Sequence, residues 1–228
     1  MTVTPVAAAR ALHNAHRRIA LTIVALAIAV FAAAVAPGTP IASAQPAGLT
    51  AEELLQGGYV IFFRHVLADD GVDMAPVNVN DCGTQRNIRE AGLRDARTIG
   101  NTFRALAIPV SAVYTSEICR AKETAGIAFG RVDAVVPALN LCCIDDQPLT
   151  AEQRNAYIEQ SVTLIPPRGT NTVIVAHGVG IVADLAQGEA AIYQPDGRGG
   201  TVRVARVMPD EWTSGAYRPG GARTGSQP

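Results

Sequence analysis

The sequence predicts an α/β protein: a three-layer sandwich whose mostly parallel sheet has an antiparallel edge and helices on both faces. Three observations point there. Two short segments, Tyr59-Val60-Ile61-Phe62-Phe63 and Asn171-Thr172-Val173-Ile174-Val175, are rich in apolar and β-branched residues, as strands buried on both faces are. Helical patterns alternate with strand patterns between them, which is how parallel strands are connected. Near the end, two strand-like runs flank a glycine-rich turn, which reads as a hairpin at the sheet edge.

Each element has its own justification. Thr50 followed by Glu53 forms a capping box for a short helix. The first apolar strand ends at Arg64-His65, and residues 66 to 84 form a loop bearing Asp69, Asp70, Gly71, Pro76, Asn80 and Gly83. From Gln85 to Leu106 the apolar stripe Ala96, Ile99, Phe103, Leu106 predicts a long helix, stopped by Pro109. Ala112 to Tyr114 is a short strand. Ser116 is expected to cap a helix from Glu117 to Phe129 that carries Cys119 and Arg120 in its first turn. A third short strand is expected near Ala134 to Val136, followed by an irregular stretch, 137 to 149. Thr150 and Gln153 give a second capping box, for a helix to about Leu164 closed by Pro166-Pro167. The second apolar strand runs into Ala176-His177-Gly178 and a short helix, Val179 to Leu185. Glu189 to Tyr193 and Val202 to Val207 pair around Asp196-Gly197-Arg198-Gly199-Gly200. Trp212 is expected to serve packing. Residues 213 to 228 read as a loose tail, and no internal repeat is present.

Composition narrows the class. The chain has 228 residues, a formal net charge of -1, 48% hydrophobic and 17% charged residues. That excludes an intrinsically disordered protein and a basic nucleic-acid binder. Residues 1 to 44 look like a secretory signal peptide: Arg10, Arg17 and Arg18 precede an apolar run from Ile19 to Val35, and Ala42-Ser43-Ala44 makes a cleavage site after Ala44. The alternative is an uncleaved membrane anchor, although the run is short for a span. Without that segment, which has three arginines and no acid, sixteen basic and twenty acidic residues remain, a net charge of -4. The expectation is therefore a secreted or periplasmic domain, residues 45 to 212, without a membrane partner after cleavage. Cys82, Cys119, Cys142 and Cys143 all stay with it, and an oxidising compartment permits disulfides. No Cys or His spacing suggests a metal site.

Two histidines remain in this domain, His65 and His177, one after each apolar strand. Ligands of open α/β sheets sit outside the carboxyl ends of strands, so both rings belong in one crevice. Arg64 adds a guanidinium shaped for two-pronged binding of phosphate. Gly178 lets a ligand come close to the backbone. Arg120 lies in the first turn of a helix, where free N–H groups already favour an anion. Taken singly, each residue is as well explained by core packing or a solvated surface. Together they describe a cage for a dianionic phosphate.

The segments Val60-Ile61-Phe62-Phe63-Arg64-His65, Gln85-Arg86-Asn87-Ile88 to Ala91-Gly92 with Ala96, Tyr114-Thr115-Ser116-Glu117-Ile118-Cys119-Arg120-Ala121 with Thr124-Ala125, and Val173-Ile174-Val175-Ala176-His177-Gly178 resemble, in order and spacing, the histidine phosphatase superfamily, also called phosphoglycerate-mutase-like. The resemblance spans about residues 58 to 185. It implies that His65 is a nucleophile forming a phosphohistidine, that Arg64, Arg120 and His177 hold the phosphoryl oxygens, and that neither a cofactor nor a metal is required. Water then releases phosphate. The chain departs from the pattern at Val66 and Ala68, where the family usually has Gly and often Ser or Thr. A β-branched side chain at the pocket floor is expected to narrow it or to alter the backbone there.

An alkoxide leaving group needs a proton donor. The resemblance places one between Arg120 and His177 or near His177. Glu189 is the first candidate, with Asp145 and Asp146 as alternatives. Gln85 and Arg86 stand either at the pocket rim or at a helix start. A bond between Cys82 and Cys119 would tie the loop to the phosphate-binding helix, with free thiols or pairing to Cys142 or Cys143 as alternatives. The expected function is an exported phosphatase acting on a small phosphorylated substrate. The competing readings are a non-catalytic phosphate-binding module and a phosphomutase. The sequence leaves the oligomeric state open.

Overall fold

Strand β1, Val60–Arg64, lies inside the sheet and is buried over Val60, Ile61, Phe62 and Phe63. Its composition follows from that position, because apolar layers cover both faces. Ile61 and Phe63 meet one core cluster, Val60 and Phe62 the other, in the strict alternation of a strand. The computed structural model describes residues 48–141, 144 and 149–220. The expected signal segment and its cleavage site, Cys142, Cys143, Asp145, Asp146 and residues 221–228 lie outside the described residues.

The described sheet has seven strands in the order β3-β2-β4-β1-β5-β6-β7. The others are β2 (Val110–Thr115), β3 (Ala134–Val135), β4 (Asn171–Ala176), β5 (Ala190–Pro195), β6 (Thr201–Val207) and β7 (Arg218–Pro219). Strands β3, β2, β4 and β1 run parallel, and β5 to β7 form the antiparallel edge. The helices are α1 (Ala51–Gln56), α2 (Glu90–Ala105), α3 (Cys119–Phe129) and α4 (Ala151–Ser161). Both capping boxes form, at Thr50 with Glu53 and at Thr150 with Gln153. On one face, Ala96, Ile99 and Phe103 of α2 and Ala121, Ala125 and Ala128 of α3 join Ile61, Phe63, Val113 and Val175. On the other, Ile158 of α4 packs with Leu139, Val162 and Leu185 against Phe62 and Ile174. Among the described residues no helix is long and apolar enough to cross a membrane.

Helix α2 begins at Glu90, five residues later than the sequence suggests, and residues Cys82–Thr84 make a 3-10 turn instead. The intervening N–H groups have other partners: that of Arg86 donates to Asp73 and that of Arg89 to the Leu67 carbonyl. Gly92 and Gly100 then let α2 lie close to its neighbours. A Cβ there would stand 2.2 Å from the carbonyl oxygens of Leu67 and Ala128 respectively. The expected helix after β4 shrinks to a 3-10 turn, Gly180–Val182.

Residues 213 to 220 are not the loose tail that their composition suggests. Arg218–Pro219 pairs with β6, the Tyr217 N–H donates to the Leu49 carbonyl, and the Tyr217 side chain is buried. Its ring lies 5.1 Å from that of Trp212, which stacks on Phe63 at 5.6 Å. Composition misled here because packing against distant aromatics, not periodicity, orders this stretch.

Candidate active site

Strands β1 and β4 are adjacent and parallel, with Arg64 opposite Ala176. The residues that follow them, His65 and His177, therefore emerge side by side. The His65 N–H donates to the Ala176 carbonyl at 2.9 Å, and the two rings meet edge to face with centroids 5.3 Å apart. Both side chains are buried.

The hydrogen bonds around His65 assign its tautomer. Nδ1 lies 2.8 Å from the Val66 carbonyl oxygen, which can only accept, so Nδ1 carries the proton. Nε2 then holds a lone pair, and Arg120 Nε donates to it at 3.1 Å. Burial, followed by the charge of Arg120, pushes His65 down from its ordinary value to about 3, with Arg64 and Arg86 acting in the same direction. The ring is neutral at physiological pH. His177 is held well below its ordinary value too, by burial first and then by His65 and the surrounding arginines. Its Nε2 is 2.9 Å from Ser116 Oγ, while its buried Nδ1 has no hydrogen-bond partner among the described residues.

Three guanidiniums complete the cage. Arg120 is fully buried on α3. Arg64 gives one N–H to the Leu185 carbonyl at 2.8 Å, and its buried Nε has no partner among the described residues. Arg86 lies nearby: its carbonyl accepts from Arg120 Nη1 at 3.4 Å, its own Nη1 donates to the Asp69 carbonyl at 3.2 Å, and its charge acts on Arg64, Arg120 and both histidines. Burial and this crowding of like charges lower Arg64. One carboxylate offsets them. Both oxygens of Asp73 meet Arg120, at 2.8 and 3.0 Å from Nη1 and Nη2.

No protein-family model matches the chain, and no curated protein does. Solved structures do. The chain is similar to the protein histidine phosphatase SixA complexed with tungstate, at 18% identity over 67% of this chain and 97% of that one, with a TM-score of 0.47. The alpha-ribazole phosphatase from Shigella flexneri is similar at 12% identity, over 64% and 94% of the two chains, with a TM-score of 0.45. A phosphoserine phosphatase mutant from Entamoeba histolytica in complex with phosphoserine is similar at 12% identity, over 67% and 98%, with a TM-score of 0.46. These are likenesses of shape at low identity.

Several site expectations need correction. Glu189 is fully buried, and its carboxylate is gripped by Arg206 at 2.9 and 2.7 Å, by the Ala186 N–H at 2.9 Å, and approached by Arg218 at 3.7 Å. Both of its oxygens accept from Arg206, so Glu189 is engaged in an ion pair here. Ser116 does not cap α3 but meets His177. The helix N-terminus is less available than expected, since Gln85 Oε1 takes the Cys119 N–H and Asn140 Oδ1 takes that of Glu117. Val66 does not narrow the pocket, because its side chain joins the apolar core. Gly178 makes room for a protein group: a Cβ there would stand 3.3 Å from Arg64 Cδ.

Cys82 and Cys119 are bonded, which ties the loop carrying Asp73 to the first residue of α3. Among the described residues no group of three or more His, Cys, Asp or Glu side chains is placed to hold a metal ion. Sequence reasoning missed Asp73. No period or motif marks it, and only its return across the loop to Arg120 singles it out.

Proposed function

We propose that this chain is an exported phosphatase that hydrolyses a phosphomonoester through a phosphohistidine on His65. The observation that carries the reading is the unprotonated Nε2 of His65, 3.1 Å from Arg120 Nε and beside His177. A neutral imidazole whose proton sits on Nδ1 is a nucleophile at any pH near neutrality. Arg64, Arg86, Arg120 and His177 bind the three phosphoryl oxygens. The partnerless Arg64 Nε and His177 Nδ1 are buried polar atoms that such oxygens would satisfy. Positioning and positive charge supply most of the catalysis in phosphoryl transfer, and this site consists of both.

Nε2 attacks phosphorus while the Nδ1–H bond to Val66 keeps the ring oriented. The alcohol leaves, water attacks the phosphohistidine, and phosphate departs. Export is supported by the composition of residues 1 to 44 and by the Cys82–Cys119 disulfide.

The test is hydrolysis of para-nitrophenyl phosphate, whose leaving group needs little help from an acid. Wild-type protein should turn it over and carry one phosphoryl group on His65 after rapid quenching. His65→Ala should abolish both. Tight phosphate binding without turnover would make the protein a binding module, and preferential transfer to a sugar acceptor would make it a mutase.

A further inference from the structure

The reaction needs a proton donor for an alkoxide leaving group; Glu189, the first candidate, pairs with Arg206, and Asp145 and Asp146 lie outside the described residues. Asp73 is the carboxylate in the right place. Arg120 meets His65 Nε2 through its Nε edge and Asp73 through its two terminal nitrogens. The same Asp73 oxygen that takes Arg120 Nη1 also accepts the Arg86 N–H at 2.8 Å. The loop dips here. Val72 and Met74 are 89% and 65% exposed, whereas the Asp73 side chain between them is 14% exposed. Asp73 also lines a cavity of about 430 Å³ with Val72, Ala75, Val77, Arg86 and Leu141. That cavity can receive the body of a leaving group.

A guanidinium binds carboxylate and phosphate through the same fork, so Asp73 and a substrate phosphoryl group compete for Arg120. Building on the phosphatase reading above, we propose that Asp73 is the proton donor of the reaction, held as the counter-ion of Arg120 until the substrate's phosphoryl group displaces it. In the free protein Asp73 is held below the usual carboxylate range. Burial acts to raise it but is outweighed by the hydrogen bonds from Arg120 and Arg86 and by their charges. Displacement removes the Arg120 bonds and places a dianion beside the carboxylate. Both changes favour protonation, so the acid is made when substrate arrives.

The step balances. The His65 Nε2 lone pair forms the N–P bond as the P–O bond breaks. The Asp73 proton passes to the departing oxygen, leaving the alcohol neutral and Asp73 ionised. In the second step water attacks phosphorus, its proton returns to Asp73, and the N–P bond breaks to restore neutral His65.

Asp73→Asn keeps the side-chain shape and removes the proton. Turnover of para-nitrophenyl phosphate and of glycerol 2-phosphate is compared between wild type and variant, with inorganic phosphate binding measured by calorimetry. Loss of an acid typically costs about 10²–10⁴-fold. That loss is expected for glycerol 2-phosphate, against less than about tenfold for the aryl ester. Phosphate affinity should hold or rise, because a competitor for Arg120 has been weakened. Equal losses on both esters, or weaker phosphate binding, would overturn the assignment and make Asp73 a positioning residue. Wild-type protein inert towards both esters would overturn the phosphatase reading, and the assignment with it.

Discussion

At the scale of single residues, two arginine–carboxylate pairs look alike but sit in different surroundings. Arg206 and Glu189 neutralise each other at full burial, with Asp184 as a further partner of Arg206 at 2.7 Å. Arg120 and Asp73 also pair, but next to the unprotonated Nε2 of His65 and beside an open cavity. Both side chains of the first pair are buried, which fits a structural role. Removing one member strands a buried charge, which costs about 3–5 kcal/mol. Glu189→Ala is expected at the lower end of that range, because Asp184 still meets Arg206. Urea unfolding measures this directly. Activity per folded molecule should stay within about threefold for both aryl and alkyl esters. A selective loss on the alkyl ester would return Glu189 to the role of acid.

At the scale of elements, the loop between β1 and α2 does most of the assembly. Its Arg86 and Asp73 reach the cage, its Gln85 holds the first N–H of α3, and Cys82 is bonded to Cys119 one residue before Arg120. The disulfide closes a loop of sequence separation 37, for which the chain-entropy account gives a stabilisation of about 3–4 kcal/mol. Replacing both cysteines by serine should lower the urea midpoint accordingly. It should also weaken inorganic phosphate binding, since the loop and Arg120 then move independently. Unchanged affinity would mean that the remaining hydrogen bonds suffice to hold the loop.

At the scale of the whole molecule, stability should depend on pH through the paired histidines. His65 folds with its value lowered to about 3, and His177 is lowered in the same direction. The unfolded chain therefore binds protons that the folded one refuses. Their contribution is complete above about pH 6.5 and is lost progressively as pH falls towards 3, at about 1.4 kcal/mol per unit for each fully shifted group. Asp73, lowered from a carboxylate's ordinary value, contributes only nearer pH 4 and below. Between about pH 6.5 and 5 the histidines dominate. Thermal melts in that window should show Tm falling with pH, with a shallower slope in His65→Gln. An identical slope in the variant would place the titration elsewhere.

Much of this was legible in the sequence for a physical reason. Strands covered on both faces are apolar along most of their length, and capping boxes are local, so β1, β4, α1 and α4 announced themselves. The two histidines stood at strand ends for the same reason. What the sequence left open depended on distance in space. That β1 and β4 are neighbours is a fact of topology, and it alone brings His65 to His177. The later start of α2, the order of residues 213 to 220, the seat of Glu189 on Arg206 and the reach of Asp73 to Arg120 are all contacts between residues remote in the chain. Local pattern determined which side chains stand as candidates for chemistry; tertiary packing decided which carboxylate meets which guanidinium, because burial forces each charge to find a partner wherever the fold supplies one.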